Sequence, residues 1–411
     1  MRVSDLPRRE QNTHRNIIDV FVDSHRHGPG RIDHALTLKV SRDGASLWTR
    51  EATIEVDAPF EVADLANVDP FAIASLFPAM TVGGLLRIHG HVSYRLLRNL
   101  LDYQSAWRLA NPNLYRPVVI EPAGVDYAPK AELGHHRRAI LAFGGGVDST
   151  LALCLNASKD KSFAHYDIGA TLMIIGINSG PSKEQPEDVL ADLRRISAAW
   201  DVPTARVHLD VFKLYDKEDG SIAAWVAASL SLFSGSFDVG LTGATGTWLK
   251  PTYDTFGTHP LLDPLLSSGH MAIRCEGASY ERAEKIKLLS HYAGSLDGLR
   301  VCFHSKPGLK NCCRCEKCLR TMLCCIAAGQ EVPSAFPLGL RLQDIGIGMG
   351  NSAGLIWASE IIASAERWGT GNHPAMRRLR RRYRAKRAKV ALKNRLSQIL
   401  PRKSELRERV Q

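Results

Sequence analysis

Apolar and polar positions change rhythm along this chain. From about residue 15 to 128, short alternating segments, Ala35 to Val40, Ala52 to Val56 and Leu85 to His91, predict strands separated by Gly, Asp and Pro. Leu96, Leu97, Leu100, Leu101, Ala106 and Leu109 share one face of a helix over Tyr94 to Leu109. A strand at Arg116 to Ile120 leads into a Pro- and Gly-containing link at Glu121 to Lys130. These elements predict an N-terminal α+β accessory domain over residues 1–130.

From Arg137 to Phe303 the rhythm becomes strand then helix. Apolar strands are expected at Ala139 to Phe143, Ile168 to Ile177, Thr204 to Val211, Val239 to Thr242, Met271 to Arg274 and Arg300 to Phe303. Helices are expected at Thr150 to Asn156, Glu187 to Trp200, Ile222 to Phe233 and Tyr280 to Tyr292. That alternation predicts an α/β fold, a parallel sheet with helices on both faces and ligands at the C-terminal strand ends. We place this domain at 131–336 and a helical extension with a basic tail at 337–411.

Composition adds three constraints. The longest apolar runs fall well short of about 18 residues, so no span crosses a membrane. The polar start, MRVSDLPRREQNTHRN, lacks an apolar secretory segment, and a cytoplasmic location is expected. The net charge of +11 is concentrated in the tail: Arg377 to Arg409 carries fifteen Lys or Arg against two Glu, leaving the rest slightly acidic.

The richest chemistry lies at the end of the first strand of the alternating region. Ala139 to Phe143 is followed by Gly144, Gly145 and Gly146, then Asp148, Ser149 and Thr150 at the start of an apolar helix. Glycines let the backbone turn and approach a ligand, and a helix start offers unpaired N–H groups to phosphate. Asp148 can face a metal ion and Ser149 can donate to a phosphate oxygen. No Gly-x-x-x-x-Gly-Lys-Ser/Thr occurs, and no third glycine completes a dinucleotide fingerprint. At these residues the chain resembles the PP-loop, or N-type ATP pyrophosphatase, superfamily, whose signature is Ser-Gly-Gly-x-Asp-Ser. Gly145, Gly146, Asp148 and Ser149 match, and Gly144 stands where that family has serine. The resemblance implies an adenine nucleotide alpha hydrolase-like (HUP) fold, ATP and Mg²⁺. It also implies adenine contacts at Ile177 and Asn178 after the second main strand, and a basic residue, Arg282 or Lys285, reaching the phosphates.

Later loops are less specific. Thr242 and Gly243 open a small-residue loop in which Trp248 either walls a site or packs as a buried turn residue. His259 and Asp263 are candidates for substrate contact or proton transfer. His89 and His91 read as structural or surface histidines.

Seven of the nine cysteines lie between Cys302 and Cys325. The spacing Cys302-x9-Cys312-x2-Cys315-x2-Cys318 is that of a four-thiolate zinc site. An iron–sulfur cluster is the alternative, and Cys313 can substitute for Cys312. Four protein ligands leave no open position, so the metal is read as structural. Cys324 and Cys325 are expected in a helix core, and Arg314, Lys317 and Arg320 are expected to offset the thiolate charge.

A PP-loop domain ending in this cysteine pattern resembles the 7-cyano-7-deazaguanine synthase family over roughly Arg137 to Gly329. The resemblance implies ATP-dependent activation of a carboxylate or carbonyl, release of pyrophosphate, and attack by a nitrogen nucleophile, with Asp148, Ser149, Arg282 and Lys285 in catalytic roles. The segment Gly243 to Asp263 departs from that family's substrate loop, so the acid itself is not identified. Expected partners are a small-molecule acid and ammonia or an amine donor. The tail is open to RNA, to an anionic membrane or to solvent alone, and a homodimer is compatible with the sequence. Two other readings are an RNA-modifying PP-loop enzyme and a nucleotide-binding protein without turnover.

Overall fold

The computed structural model describes residues 16–127, 138–158, 165–177, 185–215, 222–249, 257–302, 304–350 and 352–399. They fall in two compact units, the described residues up to Tyr280 and those from Glu281 onward.

The first unit opens with an antiparallel meander of β1 (Asn16–Gly28), β2 (Arg31–Arg42) and β3 (Ala45–Asp57). Next come α1 (Asp69–Val82), β4 (Gly84–Ser93), α2 (Tyr94–Ala110) and β5 (Val118–Asp126). The alternating part comprises β6 (Arg138–Ala142), α3 (Val147–Ala157), β7 (Asp167–Ile175), α4 (Pro186–Ala198), β8 (Thr204–Leu209), α5 (Val211–Leu214), α6 (Ile222–Ser231), β9 (Val239–Gly243) and β10 (Ala272–Glu276). All ten strands join one mostly parallel sheet in the order β10-β9-β6-β7-β8-β3-β2-β1-β4-β5. Strands from both sides of residue 130 therefore share it, joined where β3 runs antiparallel to β8.

Within this sheet β6 to β10 are all parallel, and their order is doubly wound: the chain moves outward from β6 to β7 and β8, then returns to lay β9 and β10 on the other side. The apolar strands need cover on both faces, and they have it. Ala139, Leu141, Phe143, Ile168 and Met173 pack with Leu153, Leu190 and Leu193 of α3 and α4. The alternate residues Ile140, Ala170, Leu172, Ala205 and Val207 pack in a larger core with α1 and α6.

That larger core explains one helix, α1, that the alternating pattern does not reveal. In α1 every residue from Asp69 to Met80 is buried, and in α6 every residue from Ala223 to Ser231 is buried. A helix enclosed on all sides shows no 3.6-residue contrast, so α1 carries no amphipathic signal. The sheet curls around these helices until side chains join its two edges. His270, just before β10, meets Asp126 at the end of β5 (Nε2 to Oδ2 2.8 Å). The Gly269 amide donates to Ser93 Oγ (2.9 Å), and Asn99 Nδ2 to the Ser267 carbonyl (2.9 Å).

The second unit is a C-terminal helical region of α7 (Arg282–Leu289), α8 (Glu316–Ala327), a short β11 (Ile345–Gly348), α9 (Ser352–Arg367) and α10 (Pro374–Ile399). The strand expected at Arg300 to Phe303 is not formed over residues 300–302, and Phe303 lies outside the described residues. A side chain takes the place of a strand neighbour there: the Val301 amide donates to Asn311 Oδ1 (2.9 Å), and Asn311 Nδ2 donates to the carbonyls of Leu299 and Ala335. Among the described residues no helix is long and apolar enough to cross a membrane.

Asp69 sits at the seam between the sheet edges. Its Oδ1 accepts from the Ser93 amide (2.8 Å), and burial holds its carboxyl above the ordinary carboxylate range despite that hydrogen bond. A raised folded pKa means that the folded state binds the proton more tightly, so this residue's contribution to stability declines as pH rises from the ordinary carboxylate range through the folded pKa. Asp69→Asn is expected to melt above the wild type at about pH 8, the gap closing towards pH 4, near the ordinary Asp pKa. Thermal melts of both proteins across that range check it; a gap that grows on acidification contradicts it.

Candidate functional site

The site is built from the end of β6 outward. The Phe143 amide makes a main-chain bond to the Leu172 carbonyl (2.8 Å), and the next residue, Gly144, is exposed. Gly145 takes φ +70°, the left-handed region in which a side chain costs about 1–3 kcal/mol. Gly146 returns to extended backbone as the N-cap of α3. Having no side chain, it leaves the first-turn amides of α3 uncapped from that position, at the positive end of the helix dipole. Asp148 and Ser149 occupy that first turn, and the Ser149 hydroxyl donates to the Gly146 carbonyl (3.3 Å). Thr150 is buried, and its amide closes the first helical bond onto Gly146 (2.9 Å).

β9 lies beside β6, where the doubly wound order reverses, and such reversals place ligand crevices at the C-terminal strand ends. Its last residue, Gly243, packs backbone on backbone against the start of α3: a Cβ there would fall 2.5 Å from the Asp148 carbonyl carbon and 2.6 Å from the Ser149 nitrogen. Only glycine allows that approach without displacing the helix start. Thr242 is buried and donates from Oγ1 to the Arg274 carbonyl (3.3 Å). The loop beyond is fixed by Thr258, whose Oγ1 donates to the Gly243 carbonyl (2.9 Å) and accepts from the Thr245 amide (3.0 Å). Thr258 carried no sequence signal, because it acts across a loop of more than ten residues.

The structure thus brings Gly144, Gly145, Gly146, Asp148, Ser149 and Thr150 together with Thr242 and Gly243 at the C-terminal ends of the adjacent strands β6 and β9. Ile177 follows the neighbouring strand β7, half-buried against the larger core, and Asn178 lies outside the described residues. Arg282 and Lys285 are on α7 of the second unit, where Lys285 is buried and Arg282 lies near Glu360 and Cys324. Glu276, opposite Gly243 at the end of β10, is held above the ordinary carboxylate range by burial, offset in part by a hydrogen bond from Asn156.

Two other candidates have structural duties. The buried Asp263 accepts from the His259 amide (2.9 Å), and His259 Nδ1 accepts from the Leu261 amide (3.2 Å), together closing the entry to a 3-10 turn at Asp263–Leu266. Trp248 is 49% exposed, so it is not a buried turn residue, and its indole N–H donates to Ser279 Oγ (3.3 Å). His89 and His91 are exposed, and His89 bonds Asp19 (2.8 Å) and stacks on Phe21.

In the second unit the sulfurs of Cys302, Cys312, Cys315 and Cys318 all lie within 4.8 Å of one another, a group that can hold a metal ion. Cys302 and Cys315 are 3.8 Å apart, which is the edge of a sulfur tetrahedron around one zinc with Zn–S of about 2.3 Å. Amides point at the sulfurs: His304 and Cys312 to Cys302 (3.1 and 3.4 Å), and Arg314 and Cys315 to Cys312 (3.5 and 3.3 Å). Such N–H donors stabilise thiolates. Cys315 is held far below the ordinary thiol range, first by its hydrogen bond with Cys302, while that same bond pushes Cys302 up to about 12. Four crowded sulfurs share few negative charges until a cation joins them. The close set suits a single ion compatible with structural zinc; an iron–sulfur cube, which interposes iron and sulfide between thiolates, needs wider spacing.

Cys313 does not substitute for Cys312. It adopts φ +57°, is fully buried, and directs Sγ to the Asn311 carbonyl (3.3 Å). Cys324 and Cys325 are buried in α8 as expected. Arg314 is not aimed at the thiolates: its guanidinium donates to the carbonyls of Cys313, Leu338 and Gly339 and pairs with Asp344 (3.5 Å). Asn311, which the spacing rule passes over, anchors the turn before Cys312 through its three hydrogen bonds to Leu299, Val301 and Ala335.

Compared with protein-family models, curated proteins and solved structures, the chain matches none.

The purified protein is expected to carry about one zinc per chain, and Cys315→Ser to lose it and melt earlier, because binding at structural zinc sites contributes roughly 10 kcal/mol or more to folding. Elemental analysis with thermal melts reads both; full metal retention by Cys315→Ser contradicts the assignment.

Proposed function

We propose that this chain is a PP-loop ATP pyrophosphatase of the adenine nucleotide alpha hydrolase-like fold. In this reading it activates a small-molecule carboxylate or carbonyl at the expense of ATP and passes it to a nitrogen nucleophile, as in 7-cyano-7-deazaguanine synthesis. The observation that carries the reading is the turn from Gly144 to Ser149, set between a doubly covered parallel strand and a helix start, with Gly243 apposed to it at the reversal of strand order.

A substrate oxygen attacks the α phosphorus of ATP, the bond to the β-phosphate oxygen breaks, and pyrophosphate leaves. The first-turn amides of α3 and the Ser149 hydroxyl receive the charge that builds on pyrophosphate, and preorganised donors of this kind are usually the largest catalytic contribution. Asp148 is the residue that would hold Mg²⁺, which when bound shares the phosphate charge. A nitrogen nucleophile, ammonia or an amine, then attacks the activated carbon and AMP departs. The adenine role of Ile177 and Asn178 belongs to this proposal. In it the cysteine-bound zinc is structural.

Gly144 leaves room for the serine of the resembled signature: its backbone lies outside the left-handed region, and a Cβ there meets nothing within 4 Å.

Exchange of labelled pyrophosphate into ATP, driven by a panel of small carboxylic acids, tests the reading. The wild type and Gly144→Ser are expected to exchange, and Asp148→Ala to fall by about 100-fold or more. ATP binding without exchange or AMP formation for any acid would leave a nucleotide-binding protein and overturn the enzyme.

A further inference from the structure

α10 is anchored at one end and charged at the other. Ala375, Met376 and Leu379 are buried, packing the first turns with α8, α9 and β11 in the second unit. Between Arg377 and Lys389 stand nine Lys or Arg, and no Asp or Glu occurs from Arg367 to Ser404. At about 100° per residue these cations spread over roughly three-quarters of the helix circumference. The remaining arc holds Met376, Leu379 and the half-buried Tyr383, the side turned to the core. Arg381, Arg382, Arg384, Arg387 and Lys389 are exposed. Crowding is marked enough that Arg382, next to Arg381, holds the Arg378 guanidinium below its ordinary range. Arg380 pairs with Glu366 (3.1 Å), well short of balancing the set.

The distribution selects among polyanions. An interfacial membrane helix needs a free apolar face, and over Met376 to Lys389 the apolar arc is the one turned to the protein core; from Arg380 to Lys389 only Tyr383, Ala385 and Ala388 are apolar. Single-stranded RNA is held by stacking on aromatic side chains, and this stretch offers Tyr383 alone. The major groove of A-form RNA is too narrow for a helix. A helix about 10–12 Å across with cations on both flanks fits the major groove of B-DNA, about 12 Å wide, with phosphates on either side. We propose that α10 is a docking surface for double-stranded DNA that contacts phosphates without reading sequence. This stands on its own observations and is independent of the nucleotide chemistry of the first unit.

The test uses the full chain and a fluorescent random-sequence 25-base-pair duplex, with anisotropy followed across a KCl series. The expected result is micromolar or tighter binding at about 50 mM KCl, and a log–log salt slope of about −4 or steeper. Arg381→Gln, Arg382→Gln, Arg384→Gln and Arg387→Gln combined are expected to weaken binding at least tenfold and to flatten the slope by about 3, with helicity and zinc content unchanged. No duplex binding, duplex binding indifferent to the four substitutions, or binding at least tenfold tighter to single-stranded RNA or phosphatidylserine vesicles would each overturn the proposal.

Discussion

The first unit depends on a strand that has no polar side. Ala139, Leu141 and Phe143 face one core and Ile140 the other, so β6 is stable only with helices above and below it. Once both faces are covered, its C-terminal end is where the chain can meet a soluble ligand. Sheet order puts β9 beside that end, and Gly243 brings its backbone against the helix start that the glycine turn feeds. The geometry at that strand end is thus a consequence of core packing.

The N-terminal strands take part in the same constraint. They extend the sheet past β8 and curl it around α1 and α6, closing the seam through Asp126, His270, Ser93 and Gly269. In the second unit a polar residue has the organising position. Asn311, fully buried, holds Leu299, Val301 and Ala335, and so sets the loop in which Cys312, Cys315 and Cys318 face Cys302. The charge of Arg314 fastens the same loop to residues 338–344.

Much of this was legible from residue order because its causes are local. An apolar run ended by three glycines and an Asp-Ser pair reads as strand, turn and helix start, and cysteine spacing reads as a thiolate group. What escaped has causes elsewhere in the chain. α1 is apolar on all sides because the curled sheet surrounds it, which removes the periodicity that reveals helices. Arg300 to Phe303 has a strand's composition, but Asn311, ten residues away, takes the bonds a neighbouring strand would make. Thr258 and the Asp69 seam act across loops or between distant strands. His259 and Asp263, candidates for substrate contact or proton transfer, also bond the backbone of their own turn, a duty that residue type alone does not reveal.

The central claim is that a nucleotide binds where the glycine turn meets the end of β9. Hydrogen–deuterium exchange with and without a non-hydrolysable ATP analogue and Mg²⁺ tests it most directly. The account predicts new protection in peptides covering residues 143–150 and 242–246, because the α3 amides become ligand donors there. Protection confined to other segments, or none at saturating analogue, would contradict it.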